Sequence, residues 1–127
     1  SFVSPMRMQV ITTDDGMTII NDAYNANPAS MRAALDTLVG MKASRHVVIA
    51  GQMAELADSS VEHNAIVEYA RSKKIEFIAC ETENYGIPSL SAEDAVKHVR
   101  SGGTDVAVLV KGSRVAALER VVQLLAS

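Results

Sequence analysis

A single cysteine rules out an intrachain disulfide, so nothing in the sequence asks for an oxidising compartment. That residue, Cys80, sits in an apolar run and reads as a small core side chain. No apolar stretch approaches the roughly 18 residues a membrane span needs, and the N-terminus lacks the basic-then-apolar pattern of a signal peptide, so a cytoplasmic setting is expected. Basic charge is also scarce: 12 Lys and Arg face 15 Asp and Glu, for a formal net charge of −3, with no run of five or more like charges. Nucleic acid is therefore a poor partner for this chain. Several catalytic signatures are missing too. There is no Gly-x-x-x-x-Gly-Lys-Ser/Thr phosphate loop, no dinucleotide Gly-x-Gly-x-x-Gly and no Gly-x-Ser-x-Gly nucleophile elbow, and the histidines have no partners at metal-ligand spacing.

What remains is the composition of a folded α/β domain. Of 127 residues, 48% are hydrophobic and only 4% aromatic, with Ala, Val, Ile and Leu prominent, which suits helices layered on a sheet. One domain of this length buries roughly two thirds of the surface its unfolded chain exposes. Ser1 to Pro5 reads as an interdomain linker, which suggests a piece of a longer protein.

The remainder alternates strand and helix patterns. Met8 to Thr13 and Met17 to Asn21 flank Asp14-Asp15-Gly16, a hairpin signal. After Pro28, apolar Met31, Ala34, Leu35, Leu38 and Val39 recur at helical spacing until Gly40, which predicts an amphipathic helix. His46 to Ala50 is a covered strand, and Ser59-Ser60-Val61-Glu62 reads as the capping box of a helix with Ala65, Ile66, Tyr69 and Ala70 inward. Ile75 to Cys80 is a strand, Ser91 caps a helix through Val99, and Asp105 to Val110 is a further strand. A last helix following Arg114 turns Val115, Leu118, Val122 and Leu125 to the core. The expected fold is a Rossmann-like, doubly wound, mostly parallel sheet of five to six strands, with an antiparallel N-terminal hairpin and helices on both faces.

In such a fold the loops after the strands gather at one carboxyl edge, where ligands bind. Asp22 to Asn27, Gly51 to Leu56, Glu81 to Ser89 and Lys111 to Arg114 meet there. Asn27 is suited to cap the helix that Pro28 begins, but capping leaves Asp22, Tyr24 and Asn25 unexplained. Lys111 and Arg114 flank Gly112 and Ser113 at a strand end, so two cations and free N–H groups can hold a carboxylate or phosphate; alternatively they are solvated charges beside a turn. Glu55 is the residue of its loop best able to act, and His63 reads as a polar-face residue. A stand-alone small-molecule-binding module and a phosphoacceptor receiver are rival readings. The receiver needs an Asp where Ala50-Gly51-Gln52 stands.

Asn21-Asp22-Ala23-Tyr24-Asn25-Ala26-Asn27-Pro28-Ala29-Ser30-Met31, Gly51-Gln52-Met53-Ala54-Glu55-Leu56, His63 and Lys111-Gly112-Ser113-Arg114 through Glu119 together resemble the C-terminal domain of the Mur ligases. Gln52 stands where that family usually has Asp, and Ala57 where it usually has Gly. The resemblance implies residues 8–127 as this domain and 1–7 as linker, with a central ATPase domain and an N-terminal UDP-binding domain elsewhere in the enzyme. It implies the bacterial cytoplasm and peptidoglycan synthesis: ATP-dependent addition of D-Ala-D-Ala to a UDP-N-acetylmuramoyl-tripeptide through an acyl phosphate, with Mg2+ held mainly by the central domain. It also implies that Asp22, Tyr24, Asn25 and Asn27 face ATP and the reacting centre. Lys111, Gly112, Ser113 and Arg114 then face the D-Ala-D-Ala or phosphate side, and Glu55 and His63 are further candidates. The chain alone is expected to be inactive.

Overall fold

A computed structural model describes residues 8–23, 25–116 and 118–127, leaving out the Val115 side chain. Tyr24 and the linker residues 1–7 therefore lie outside the described residues. The chain runs β1 (Gln9–Thr12), β2 (Thr18–Asp22), α1 (Pro28–Val39), β3 (Arg45–Ala50), α2 (Ser59–Ser72), β4 (Glu76–Cys80), β5 (Ser89–Leu90), α3 (Ala92–Ser101), β6 (Val106–Lys111), a 3-10 turn (Arg114–Ala116) and α4 (Glu119–Ala126). The hairpin turns where expected, with Gly16 in the left-handed region at φ +97°.

One mixed sheet has the order β1-β2-β6-β3-β4-β5, antiparallel only between β1 and β2. Alternate residues of the central strands enter two cores. Ile19, Val47, Ile49, Val108 and Val110 face α3 and α4. Ile20, Val48, Ala50, Ala107 and Leu109 face α1 and α2. Helices on both faces explain why these strands read as continuous apolar runs. Cys80 is buried, which pushes its thiol pKa up to about 11 and keeps it a core side chain. At the opposite, amino edge Arg45 binds both carboxylate oxygens of Glu76 at 2.9 and 3.1 Å and holds that carboxyl below its ordinary range.

Three sequence expectations need correction. The α2 cap is Asp58, one residue before Ser59: its backbone is extended, its side chain accepts from the Val61 N–H at 3.2 Å, and a carboxylate suits a helix N-terminus. Val39, the last apolar residue of the α1 pattern, is exposed, because it lies at the edge of the stripe that Met31, Leu35 and Leu38 bury. The last helix does not follow Arg114 directly. A 3-10 turn intervenes and α4 begins at Glu119, so the N-terminus of α4 does not directly follow Lys111 to Arg114.

Candidate functional site at the carboxyl edge

β6 lies between β2 and β3, where the direction of winding reverses. The connection leaving β2 passes to α1 on one face, and that leaving β6 passes to α4 on the other. Diverging connections of this kind open a crevice at the strand ends. Asp22 closes β2, Lys111 closes β6, and the two are register partners.

Their side chains meet there. Lys111 Nζ donates to Asp22 Oδ2 at 2.7 Å and to the Asn25 carbonyl at 2.8 Å, and both side chains are buried, at 2% and 7% exposure for Lys111 and Asp22. The pair therefore joins segments that the sequence suggested as two separate sides of a site. Asp22, Asn25 and Lys111, with Ser30, Ala34 and Thr37 of α1, line a cavity of about 340 Å³. The Asn25 side chain accepts from the Ala26 N–H at 2.9 Å. Asn27 caps α1: its Oδ1 accepts from the Ser30 N–H at 2.9 Å, while Ser30 Oγ accepts from the Asn27 N–H at 3.1 Å. Such a cap is worth about 1 kcal/mol and fixes where the polar segment enters the helix.

The Lys111 to Arg114 loop is held against the end of β3. Gly51 N–H donates to the Lys111 carbonyl at 2.9 Å and Ser113 N–H to the Gln52 carbonyl at 2.8 Å. The approach is close enough to need two glycines: a Cβ on Gly112 would lie 3.1 Å from Gly51 Cα and 3.0 Å from Leu118 Cδ1. Ser113 is 1% exposed, and its hydroxyl has no hydrogen-bond partner among the described residues. Arg114 is exposed at the start of the 3-10 turn.

Glu55 is exposed at φ +59°, at the same edge. His63, expected on a polar face, is instead fully buried, because Tyr85 packs edge-on against its ring with centroids 4.6 Å apart. Its Nδ1 lies 2.7 Å from the Ser59 carbonyl and its Nε2 accepts from the Met53 N–H at 2.9 Å, which specifies the neutral ring with the proton on Nδ1. Sequence reasoning missed Tyr85. Its buried hydroxyl donates to the Gly51 carbonyl at 2.7 Å, and burial pushes its pKa far up, so it remains a donor. The available signal was an aromatic residue in an otherwise polar turn of an aromatic-poor chain. Among the described residues no group of three or more His, Cys, Asp or Glu is placed to hold a metal ion.

The family described as Mur ligase, glutamate ligase domain, matches residues 6–127. The chain belongs to this family. Within the Mur ligases it is 47% identical over 70 residues to the UDP-N-acetylmuramoyl-tripeptide--D-alanyl-D-alanine ligase of Mycobacterium tuberculosis strain H37Rv, an alignment of 50% of the chain and 14% of the relative. It is 31% identical over 134 residues to the enzyme of the same name from Escherichia coli K12, across 95% of the chain and 29% of the relative. The structure superposes on the MurF ligase of Thermotoga maritima, crystallised with ADP, with a TM-score of 0.84 and 21% identity, across 98% of this chain and 31% of that one. This Mur ligase domain thus spans less than a third of the proteins it matches, with the crevice residues inside the matched segment. No helix among the described residues is long and apolar enough to cross a membrane.

Proposed function

We propose that this chain is the C-terminal lobe of an ATP-dependent amide ligase that adds D-Ala-D-Ala to UDP-N-acetylmuramoyl-tripeptide in the bacterial cytoplasm. The observation that carries the reading is the 31% identity to the D-Ala-D-Ala ligase of Escherichia coli across 95% of the chain. In the proposed reaction the tripeptide carboxylate takes the γ-phosphoryl group of ATP, with ADP leaving. The amine of D-Ala-D-Ala then attacks the acyl carbon, and phosphate departs as the amide forms. Negative charge builds on the phosphoryl group and on the tetrahedral carbon, so fixed cations and N–H donors lower the barrier.

On this reading Asp22, Tyr24, Asn25 and Asn27 border ATP and the reacting centre, and Lys111 to Arg114 border the incoming dipeptide or phosphate. Lys111 sets the Asn25 segment against β6, and the unpartnered Ser113 hydroxyl and the exposed Arg114 guanidinium are donors suited to an anionic group. Mg2+ is held mainly by the central domain of the intact enzyme. Residues 1–7 are the linker to the central domain, the lobe closes over ATP about that hinge, and the lobe alone does not turn over.

Arg114→Ala in the intact enzyme is expected to weaken its anionic partner by about 1.5–3 kcal/mol, the scale of a charged hydrogen bond, with the fold retained. Steady-state kinetics with ATP and D-Ala-D-Ala varied in turn measure this. Unchanged kinetics toward both remove Arg114 from the site.

A further inference from the structure

We infer that His63 is a positioning residue, which sets the separation of the two walls of the crevice by anchoring a strut made of Gln52, Met53 and Ala54. The three residues bond in three directions. The Gln52 carbonyl accepts the Ser113 N–H at 2.8 Å, and Ala54 N–H donates to the Ala26 carbonyl at 3.4 Å. One end of the strut thus holds the Lys111 to Arg114 wall and the other the Asp22 to Asn27 wall. Between them Met53 N–H donates to His63 Nε2 at 2.9 Å.

Everything around His63 serves to fix that acceptor. Nδ1 is taken up by the Ser59 carbonyl one turn back along α2, so the ring cannot spin, and Tyr85 packs against it while holding the Gly51 carbonyl with its own hydroxyl. Residues 51 and 53 are therefore pinned by side chains from two other elements, and Gln52 between them has its carbonyl direction fixed. Glu55, at φ +59°, turns the chain away just beyond the strut. A buried histidine with both nitrogens engaged by backbone groups is costly to bury for packing alone, since leucine fills the space without a polar requirement. Its use here is directional.

The consequence for catalysis rests on the ligase reading: misplacing reacting groups by about 1 Å can cost on the order of 100-fold in rate. The consequence for the fold does not rest on it. His63→Leu and His63→Gln are compared in the intact protein by backbone hydrogen exchange and by steady-state kinetics. Gln keeps an acceptor in reach of the Met53 N–H; Leu does not. In His63→Leu the Ser113 and Ala54 amides are expected to exchange at least about 10-fold faster while the amides of β3 and α1 stay protected. kcat falls on the order of 10- to 100-fold with KM for ATP nearly unchanged, and His63→Gln recovers most of both. Unchanged exchange at Ser113 and Ala54 in a folded His63→Leu protein overturns the strut. So does equal damage in the two variants in proportion to lost stability. Faster exchange at those two amides in a protein whose wild type ligates nothing upholds the strut and counts against the ligase reading instead.

Discussion

Lys111→Met is expected to cost about 3–5 kcal/mol of folding stability and to abolish the organisation of the crevice. The reason is asymmetry. Lys111 and Asp22 are almost wholly buried and 2.7 Å apart, so removing the cation leaves a carboxylate out of water with nothing to balance it. The Asn25 carbonyl loses its donor at the same time, which frees the polar segment between β2 and α1. Urea unfolding of the chain measures the loss. The double variant Asp22→Asn, Lys111→Met is expected to recover more than half of it, because no uncompensated charge remains. A Lys111→Met midpoint within about 1 kcal/mol of wild type would show that the pair is solvated.

Gly51→Ala is the second large effect. A Cβ there lies 2.7 Å from Ala116 Cβ and within 3.3 Å of the Leu118 side chain, so the 3-10 turn must move outward. Overpacking of this kind costs about 1–3 kcal/mol. The displaced turn carries Arg114 and follows Ser113, whose N–H is tied to Gln52, so in the intact enzyme the rate is expected to fall by on the order of 100-fold. Thermal unfolding and kinetics on the same sample check both parts. Wild-type activity at an unchanged melting temperature would mean that the close approach of β3 and β6 is not needed.

The features legible in the sequence are those decided within a few residues. Asn27 caps α1 and Pro28 opens it from local geometry, and the Asp-Gly hairpin and the amphipathic helices follow from spacing. The carboxyl-edge gathering of four loops was legible once the alternation of strand and helix was seen. The Asp22–Lys111 pair was not, since its members are 89 residues apart and meet only because β6 inserts between β2 and β3. Strand order is a property of the whole sheet and leaves no local mark. His63 misled for a related reason: its helix reads as half polar at that position, and the Tyr85 ring that covers it comes from the connection after β4. The helix expected directly after Arg114 begins only at Glu119, because the apolar spacing of Val115, Leu118, Val122 and Leu125 in the sequence does not distinguish a 3-10 turn from the first turn of an α-helix.

On the proposed function this carboxyl edge is one side of a D-Ala-D-Ala ligase site. Phosphate release from ATP by the intact protein tests it most directly, measured with UDP-N-acetylmuramoyl-tripeptide present and with D-Ala-D-Ala supplied, withheld, or replaced by single amino acids. Release is expected to require the tripeptide, to reach full rate only with D-Ala-D-Ala and to be abolished by Lys111→Met. Release that is indifferent to D-Ala-D-Ala, or that another amine supports as well, would contradict it.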